Sequence, residues 1–481
     1  MSSPATKLGS APTLPVKAAD VLRSTARFDA LAVEKNHGNG DLIEILDVLG
    51  VAGPFEFTSP WELKDPDGRH LIHAGGYAAV PFGEQFPPLV EFIQEYLRTN
   101  SQLGLPQQSA SMWRAALESN LVALLSASCP SHSDSRVFFA NSGAEAIEGA
   151  LKVARAARPK ATTVINFERA YHGKTQGALA LTPNEEYQGL FRPLTPKAKT
   201  IPYGDPDALQ AALKELGADA MAVVVEPVQG EGGVITPPAG YLARLGELAR
   251  AHGVPVIADE VQSGLGRTGS WFASVAAGLE PDIVTLAKPL GGGLVPIGAV
   301  IARKKLYRAL LKGLTSKRHS NTFGGGSLAV AVGLKSLELL VEGRMDERAR
   351  EFGARGQRRL EEIARGAPDL IDSVRSAGML FAISLKPVVG FKVPGVSAED
   401  VQTFAAALAL RGLHEAGVHG CYSTNAHRTV RLTPALNMPE ELFDEMFARV
   451  GRFAEGNPRS STMLQRFPLP RMLRLAKAAF G

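Results

Sequence analysis

Between Arg136 and about Leu340 the sequence alternates short β-branched, apolar runs with longer amphipathic stretches, and no other feature limits the possible folds as strongly. The longer stretches have helical spacing, for example over 144–157 and 241–253. Near-continuous apolar strands separated by such helices are typical of a mostly parallel sheet that is covered on both faces. We therefore predict an α/β fold with a mostly parallel central sheet flanked by helices. Strands are predicted at six runs: RVFFA (136–140), TTVINF (162–167), MAVVVE (221–226), VPVIAD (254–259), DIVTLA (282–287) and GAVIA (298–302).

The sequence outside this region changes in character at several points, and these points predict domain boundaries. After residue 343 a helical stretch, two short strand candidates (GMLFAISL and TVRLTPA) and a terminal helix are typical of a smaller α+β domain. The predicted division is a loosely ordered N-terminal arm (1–40), an N-terminal part of the small domain (41–105), a large domain (106–343), a C-terminal small domain (344–456) and a basic C-terminal tail (457–481).

The predicted tail carries Arg466, Arg471, Arg474 and Lys477 among apolar residues. A basic amphipathic segment can lie on a membrane surface, but a peripheral helix packed on the protein or on a partner is the more common arrangement. We therefore predict a packed helix here rather than a membrane contact.

Charge and cysteine content exclude several classes of function. The 52 basic and 48 acidic residues leave a net charge of +4 over 481 residues, which implies no nucleic-acid or membrane partner. Cys129 and Cys421 lie far apart, which excludes a zinc site built on paired thiolates and favours a reducing compartment. No apolar run approaches the ~20 residues that a membrane-spanning helix needs. We predict a soluble, cytoplasmic protein without a metal site.

The stretch VIADEVQSGLGRTG (257–270) contains Gly264, Gly266 and Gly269 in the GxGxxG spacing of a dinucleotide-binding turn. That interpretation requires an acidic residue at the end of the next strand, about 20 residues further on. Asp282 has this separation but opens its strand, and so would lie at the opposite edge of the sheet. The glycines are therefore predicted to shape a turn and not to bind a dinucleotide.

Two polar residues follow neighbouring predicted strands and suggest a different chemistry. Lys288 is predicted to have an extended backbone because Pro289 follows it, and the glycines at 291–293 let the chain pass close to a bulky group. Burial at a strand end would lower the pKa of the lysine and make its amine nucleophilic. Asp259 ends the adjacent strand and could pair with a protonated ring nitrogen. The alternatives are a surface lysine at a turn and an aspartate that caps a helix.

A third element, NSGAEAIEGALKVAR (141–155), places Ser142, Gly143 and Ala144 where a predicted strand turns into a helix. The first backbone N–H groups of a helix have no partner within it, and the helix dipole makes this end suited to a phosphate. Glu145 also fits a capping box with Ser142, which is the alternative interpretation. A phosphate site, a carboxylate for a ring nitrogen and a strand-end lysine together predict pyridoxal 5'-phosphate as the cofactor.

Four long runs resemble the class III (ω-type) aminotransferases, which are fold-type I pyridoxal-phosphate enzymes and include ornithine, putrescine and 4-aminobutyrate members. The likeness spans residues 60 to 450. It is carried, together with NSGAEAIEGALK and AYHGKTQGALALT, by the runs VVVEPVQGEGGVITPPAGYL, PVIADEVQSGLGRTGSWFA, PDIVTLAKPLGGGLVPIGAVIA and HSNTFGGGSLAVAVGL.

The resemblance implies a role for each residue of the predicted cofactor site. Lys288 matches the Schiff-base lysine that also acts as general acid and base, and Asp259 the carboxylate that keeps the pyridine nitrogen protonated. Tyr171 and Val261 match the residues on the two faces of the ring, and Gln262 the donor to its phenolic oxygen. We predict a structural role for the neighbouring His172.

Thr322, in NTFGGG, matches a hydroxyl that reaches the phosphate from the neighbouring subunit. If that match holds, each active site is shared between two chains. The resemblance therefore implies a homodimer and leaves open whether dimers pair into tetramers.

The substrate residues are also assigned by resemblance. Glu226 resembles a carboxylate near the cofactor, and Tyr77 occupies a substrate-pocket position. Glu231 matches a glutamate that pairs with an arginine, here Arg431, in ornithine- and 4-aminobutyrate-type members. The pair would act as a gate, because a 2-oxo-acid carboxylate takes Arg431 bidentately whereas Glu231 neutralises it for donors without that group. The alternative is a structural ion pair.

The sequence thus predicts a pyridoxal-phosphate-dependent aminotransferase. Its donor would be a diamine, an ornithine- or lysine-like amine, or 4-aminobutyrate, and its acceptor 2-oxoglutarate or pyruvate. The alternatives are an amino-acid racemase or epimerase of the same fold, in which Lys288 returns the proton to Cα, and a catalytically silent regulator. Two segments near the mouth of the site, FGEQFPP (82–88) and 98–113, depart from the family pattern and leave the donor's identity open.

Overall fold

The computed structural model describes residues 16–23, 29–388 and 398–480. Its strands, in chain order, are β1 (Glu56–Ser59), β2 (Glu62–Lys64), β3 (His70–His73), β4 (Arg136–Ala140), β5 (Thr163–Phe167), β6 (Lys197–Ile201), β7 (Ala220–Val225), β8 (Val256–Asp259), β9 (Ile283–Leu286), β10 (Gly298–Ala302), β11 (Ile371–Ala377), β12 (Leu380–Leu385), β13 (Val418–His419), β14 (Cys421–Tyr422) and β15 (Thr429–Leu432). Its helices are α1 (Ala18–Leu22), α2 (Ala30–His37), α3 (Gly40–Leu49), α4 (Pro87–Thr99), α5 (Met112–Ser128), α6 (Gly143–Ala157), α7 (Gln176–Ala180), α8 (Glu185–Gln188), α9 (Pro206–Leu216), α10 (Tyr241–Ala251), α11 (Ala273–Ala276), α12 (Lys304–Leu310), α13 (Ser327–Glu342), α14 (Met345–Gly366), α15 (Ala398–Glu415), α16 (Glu440–Gly456), α17 (Ser460–Arg466) and α18 (Leu469–Phe480).

The central sheet has seven strands in the order β4-β10-β9-β8-β7-β5-β6. Only β10 runs antiparallel to its neighbours β4 and β9, and the other pairs are parallel, which confirms the predicted mostly parallel sheet. All six predicted strands belong to it. The seventh, β6, was not predicted because its sequence KAKTI is mostly polar and its side chains are largely exposed, as is usual for an edge strand.

Both faces of this sheet are covered. On β7, Val224 packs with α6 on one face, and its neighbour Val223 packs with α9 and α10 on the other. On β8, Ile257 likewise packs on the face covered by α6, and Ala258 packs on the face covered by α9 and α10. Successive side chains of a strand point to opposite faces, so helices on both faces require apolar residues at every position. This requirement explains why β7 and β8 are apolar almost throughout.

Two four-stranded sheets lie outside the central one. The sheet β11-β12-β15-β14 is antiparallel, and in its register Ala382 of β12 faces Arg431 of β15. Its β12 residue Phe381 packs against Phe443 and Phe447 of α16. The other sheet, β1-β2-β3-β13, pairs β13 in parallel with β3. The strands and helices predicted after residue 343 therefore form, with Arg431 held in the middle of a buried strand.

The described residues divide into two units, one comprising those up to Pro54 together with those from Pro468, and the other residues 55–467. In the first unit α18 packs on α3, and Arg474 bonds Glu44 at 2.6 Å. The basic tail therefore contains two helices, α17 and α18, of which α18 packs on α3. The range predicted as an arm contains α1 and α2, and Asp29 caps α2 by accepting the N–H of Ala32. The predicted division of 41–456 into large and small domains stays a prediction.

None of the described helices combines the length and the apolar character that a bilayer crossing requires. Within the described ranges, no group of three or more His, Cys, Asp or Glu side chains is placed to bind a metal ion. The cytoplasmic location stays a prediction that rests on the cysteine content.

Candidate active site

A cavity of about 530 Å³ opens beyond the carboxyl ends of β4, β7, β8 and β9. Ligands of open α/β sheets bind at this edge, because the loops that leave the strands there can converge on one point. Most of the predicted cofactor residues line the cavity, namely Ser142, Gly143, Ala144, Tyr171, Glu226, Asp259, Val261, Gln262 and Lys288.

The phosphate candidate lies at the start of α6. Ser142 precedes the helix with an extended backbone, and its Oγ accepts the N–H of Glu145 at 3.2 Å. Only half of the capping box considered as an alternative therefore forms, because Glu145 Oε2 accepts the N–H of Asn141 and not that of Ser142. The Ser142 cap uses only the third amide of the helix. Gly143 and Ala144 contribute the first two amides, which have no acceptor within α6 and lie at the cavity wall. Capping and anion binding are thus compatible at this helix end.

Gly143 is required at this position by a close approach. A Cβ added there would lie 2.9 Å from Cγ1 of Val261, a residue on the facing wall of the cavity. The absence of a side chain therefore lets the helix end approach the turn after β8.

Asp259 ends β8 and is buried, with 4% of its surface exposed. Its Oδ1 accepts the backbone N–H of Val261 at 3.1 Å and the hydroxyl of Thr285 at 3.2 Å. The residues after it form turns and not a helix, so Asp259 is not a helix cap. Its carboxylate is held in a fixed orientation beside the cavity.

His172, predicted to be structural, contacts this carboxylate directly. Its Nδ1 lies 2.7 Å from Oδ2 of Asp259, and its Nε2 has no partner among the described residues. Burial lowers the pKa of His172, but the hydrogen bond and charge of Asp259, with the charge of Glu226, outweigh burial and raise it. No sequence pattern links His172 to Asp259, because the two residues follow different strands and meet only in the fold.

Lys288 follows β9 as predicted, but its backbone is not extended. Its φ is +37°, in the left-handed region, and it begins a 3-10 turn that ends at Gly291. The prediction from Pro289 was wrong because the chain must turn sharply as soon as β9 ends. Left-handed conformations of residues other than glycine cluster at functional sites, where the surrounding structure enforces them.

The environment of Lys288 favours its uncharged form. Burial lowers the pKa of the ammonium, and Arg431 acts in the same direction, against the carboxylates of Glu231, Asp259 and Glu226. A lysine with a lowered pKa is a better nucleophile and a better proton acceptor near neutral pH. The alternative of an ordinary surface lysine does not fit this position.

Glu226 lies on the same wall and is fully enclosed. Its Oε1 accepts the N–H of Tyr171 at 2.9 Å, and its Oε2 accepts that of Gly230 at 3.3 Å. Burial raises the pKa of Glu226 to about 7, with Asp259 adding to the rise and His172 opposing it. This carboxyl therefore exchanges its proton close to neutral pH.

Glu231 and Arg431 form a buried ion pair beside the cavity. Arg431 Nη2 lies 2.5 Å from Glu231 Oε1, and Thr424 donates its N–H and its hydroxyl to Glu231 Oε2 at 3.0 and 2.6 Å. Burial raises the pKa of Glu231, but the charges of Arg431 and Lys288 and the bonds from Thr424 outweigh burial and lower it to about 2. Glu231 is therefore ionised at all ordinary pH values.

Gln262 connects this pair to the cavity. It lines the cavity wall, donates Nε2 to Glu231 Oε1 at 2.9 Å, and accepts Arg431 Nη1 at its Oε1 at 3.1 Å. Arg431 Nε has no partner within the described ranges. One donor of a fully buried guanidinium is thus unused, and a rearrangement of Gln262 would free another.

Tyr77 lies next to the ion pair and not in the cavity wall. The Cζ of Arg431 is 5.8 Å from the centroid of its ring, and the ring of Tyr422 meets it edge-on at 6.5 Å. Tyr77 is 39% exposed and has a φ of +50°, so the backbone holds a partly open aromatic group in a strained conformation. The predicted substrate residues therefore adjoin one another at one side of the cavity.

Thr322 is the one predicted cofactor residue that does not line the cavity of its own chain. It is exposed, and its carbonyl oxygen accepts Nε2 of Gln107 at 2.8 Å. Gln107 belongs to the segment 98–113, whose role the sequence left open. The segment therefore supports the loop that carries Thr322.

Comparisons with known proteins agree with this geometry. The family model described as Aminotransferase class-III matches residues 59–453. The ornithine aminotransferase of Toxoplasma gondii ME49 is similar in structure, with a TM-score of 0.77 at 26% identity, over 92% of this chain and 99% of that chain. The acetylornithine aminotransferase of Elizabethkingia anophelis has a TM-score of 0.68 at 28% identity, over 84% and 94%.

A further structure of the Toxoplasma gondii ornithine aminotransferase bears on the cofactor. It has a TM-score of 0.74 at 26% identity, over 89% of this chain and 98% of that chain, and shows partial occupancy of PLP at its active site. The predicted family resemblance and fold-type I architecture are confirmed by these matches.

Proposed function

The chain belongs to the class III aminotransferases, and we propose that it transfers an amino group from an ω-amino donor to 2-oxoglutarate or pyruvate. The donor would be a diamine, an ornithine- or lysine-like amine, or 4-aminobutyrate. The ornithine and acetylornithine aminotransferases among the similar structures support a donor of this class. The observation that carries the proposal is the buried Glu231–Arg431 pair, joined through Gln262 to the cavity wall.

Class III aminotransferases use pyridoxal 5'-phosphate, and the donor set of the cavity fits this group. The free amides at the start of α6 suit its phosphate, the fixed carboxylate of Asp259 suits its ring nitrogen, and the amine of Lys288, which lines the cavity, suits its aldehyde. Val261 and Tyr171 would hold the two ring faces, and Gln262 the phenolic oxygen. When bound, the cofactor supplies an electron sink for the carbon that loses its proton.

The protein's own groups would hold and move protons in this site. Lys288 Nζ would take the proton from the carbon that carries the amino group and return it at the cofactor, since burial lowers the pKa of its amine. Asp259, oriented by Thr285 and His172, would keep the ring nitrogen protonated. Burial lowers the pKa of His172, but Asp259 and Glu226 outweigh burial and raise that pKa, which favours a second proton on the ring. Asp259 and His172 would thus act together to keep the ring nitrogen of the cofactor protonated.

Glu231 and Arg431 would decide which substrate is accepted at each stage. With the pair closed, Arg431 is neutralised and the wall is suited to an amine that carries no carboxylate at that end. A 2-oxo acid would compete with Glu231 for the guanidinium, and would gain two parallel charge-assisted hydrogen bonds. Gln262 would move with the exchange because it bonds both partners.

The reaction can be tested with the purified holoenzyme and a panel of amines. Each amine is added alone, and the loss of the yellow colour of the bound cofactor is recorded, after which candidate oxo acids are added to restore the colour. We expect ω-amines to remove the colour and 2-oxoglutarate or pyruvate to restore it. A holoenzyme that no ω-amine bleaches, but that 2-amino acids bleach readily, would overturn the proposed donor class.

We also propose that the functional unit is a homodimer with shared active sites. Thr322 lies outside the cavity of its own chain, and apolar side chains near it in sequence or contact are exposed. Exposed apolar groups in such numbers mark interaction surfaces. They are Leu103 (66%), Met112 (75%), Leu314 (97%) and Phe323 (64%).

Mixing two inactive variants tests the shared site. In a hybrid dimer of Lys288→Ala and Thr322→Val chains, one site carries both changes and the other carries neither. Refolding or subunit exchange should therefore restore up to about a quarter of the wild-type activity, by random pairing of the two chains. If Thr322 served its own chain, every site in the mixture would carry one change and no activity would return.

A further inference from the structure

The glycine turn (264–271), which the dinucleotide pattern had singled out, connects two parts of the site. The turn begins two residues after Gln262, which lines the cavity. It is folded tightly, with positive φ at Leu265, Gly266 and Gly269. A Cβ on Gly266 or Gly269 would meet the backbone of α14 at 3.2 and 3.3 Å. The glycines therefore allow the turn to lie directly against the start of α14.

Arg267 is the central residue of this turn, and its side chain is fully buried. Its Nη1 donates to the carbonyl oxygen of Pro434 at 2.6 Å and lies 3.4 Å from that of Met379, while its own carbonyl oxygen accepts the N–H of Met379 at 3.0 Å. Arg267 thus binds the segment after β15 and the residue before β12 at the same time.

The burial of Arg267 is unusual for an arginine. Among the described residues no carboxylate forms an ion pair with it, and burial alone lowers its pKa to about 9. Its Nε and Nη2 have no protein partner in the described ranges. A guanidinium without a carboxylate is costly to bury, and its two backbone acceptors offset only part of that cost.

The contacts of Arg267 form a closed path through the site. Arg431 lies on β15, and Pro434 lies just after that strand. Arg431 also bonds Gln262, and Gln262 lies two residues before the glycine turn that carries Arg267. β12, which begins next to Met379, pairs with β15 so that Ala382 faces Arg431. The position of Arg431 relative to Gln262 is therefore set from both sides by Arg267.

We propose that Arg267 is a positioning residue that holds Arg431 in register with Gln262 and Glu231 for binding the oxo-acid carboxylate. This inference rests on the proposed role of Arg431. Loss of the Arg267–Pro434 bond would let the end of β15 shift, and the bidentate contact with the carboxylate is sensitive to such a shift. The half-reaction with the amine does not use that contact and would be affected little.

The test compares the two half-reactions of the holoenzyme in Arg267→Met, Arg267→Lys and Arg350→Met. For Arg267→Met we expect the KM for 2-oxoglutarate to rise about tenfold, with the amine half-reaction within about twofold of wild type. Arg267→Lys should recover part of the loss because it keeps one donor. Arg350 is the matched control, since it donates to Gly269 of the same turn without reaching Pro434 or Met379.

Several outcomes would overturn the inference. Equal losses in both half-reactions, or no loss in either, would show that Arg267 does not act through Arg431. Failure of both Arg267 variants to fold and bind cofactor would show a general structural role. Arg431→Ala is measured alongside: if it does not impair the oxo-acid half-reaction, the proposed function of Arg431 fails instead, and the two failures are thereby distinguished.

Discussion

Glu226 and Glu231 belong to the same stretch of chain after β7 and are both buried, yet the pKa of Glu226 is raised to about 7 and that of Glu231 is lowered to about 2. Burial acts on both carboxyls in the same direction. The difference is that Glu231 has Arg431 at 2.5 Å and two bonds from Thr424, whereas Glu226 accepts only backbone N–H groups.

The comparison divides the site into two regions with different electrostatics. The cofactor region comprises Glu226, Asp259 and Lys288, and in it burial raises the pKa of Glu226 and lowers that of Lys288. The substrate region comprises Glu231, Arg431 and Gln262, and in it the ion pair lowers the pKa of Glu231 and raises that of Arg431, so both groups stay charged near neutral pH. We propose that the first region serves both half-reactions and the second chooses between substrates.

The largest effect is expected in the cofactor region. Lys288→Ala removes the amine that we propose carries the proton, and we expect turnover to fall by at least about 10³-fold in both half-reactions. Cofactor should still bind, through α6 and Asp259, but borohydride should no longer attach it to the chain. Lys304→Ala, a change at a partly exposed surface lysine, is the control. Retained turnover in Lys288→Ala would remove Lys288 from the mechanism.

The opposite pKa shifts of the two glutamates predict opposite pH dependence of stability. A carboxyl whose pKa is raised in the folded state stabilises the folded protein at pH values below its unfolded pKa of about 4.5. This stabilisation is lost as the pH rises through the folded pKa of about 7. Between pH 5 and 8 the free energy of unfolding of the wild type should therefore fall by about 2.5 kcal/mol relative to that of Glu226→Gln, measured by chemical denaturation at fixed cofactor concentration.

Glu231→Gln is the internal control for that experiment. The pKa of Glu231 is lowered, so its stabilisation is complete above about pH 4.5 and is lost only as the pH falls towards 2. The difference in free energy of unfolding between Glu231→Gln and the wild type should thus be constant between pH 5 and 8. A pH-independent difference for Glu226→Gln as well would show that Glu226 does not titrate in this range.

Arg431→Ala should affect mainly one half-reaction. It removes the receptor for the carboxylate and leaves Glu231 buried without its cation, which is the more costly half of breaking a buried pair. We expect the half-reaction with 2-oxoglutarate to slow by about 30- to 100-fold and that with the amine by far less. Equal losses would contradict the division into two regions, and Arg431→Lys should lie between because it keeps the charge but not the planar fork.

The residues of the cofactor region and those of the substrate region were predicted from the sequence in different ways. The six central strands and the residues at their ends follow from local patterns, since apolar runs, glycines and helix starts depend on neighbouring residues. Asp259 and Lys288 could therefore be predicted from their positions after strands. Arg431 and Glu231 have no such local pattern, because they meet only when β15 packs beside the loop after β7, and resemblance to a family was needed to pair them.

What the sequence missed depends on packing. The contact of His172 with Asp259 joins residues that are far apart in the sequence, and so does the contact of Thr424 with Glu231. The backbone of Lys288 was mispredicted because a local preference before proline was overruled by the turn that ends β9. The edge strand β6 was missed because an edge position needs few apolar residues. Each of these features is set by residues distant in sequence.

Glu231→Gln should produce the reverse of the Arg431 effect. With the carboxylate gone, Arg431 stays positively charged when the ω-amine binds, and we expect the amine half-reaction to slow by about tenfold. The 2-oxoglutarate half-reaction should be unchanged or faster, because Glu231 no longer competes for the guanidinium. Both half-reactions must therefore be measured on the same preparation. A loss confined to 2-oxoglutarate would show that Glu231 orients Arg431 and does not gate it.

The smallest effect is expected at Tyr77, whose ring lies 5.8 Å from Arg431 Cζ. Tyr77→Ala removes a cation–π contact that is worth about 1 kcal/mol at a partly exposed site, so the KM for 2-oxoglutarate should rise by about fivefold. Tyr77→Phe keeps the ring and should stay within about twofold of wild type. If Tyr77→Phe were as impaired as Tyr77→Ala, the hydroxyl and not the ring would be the important group. Tyr77 would then contact the substrate itself, and the substrate region would extend beyond the ion pair to the exposed edge of the cavity.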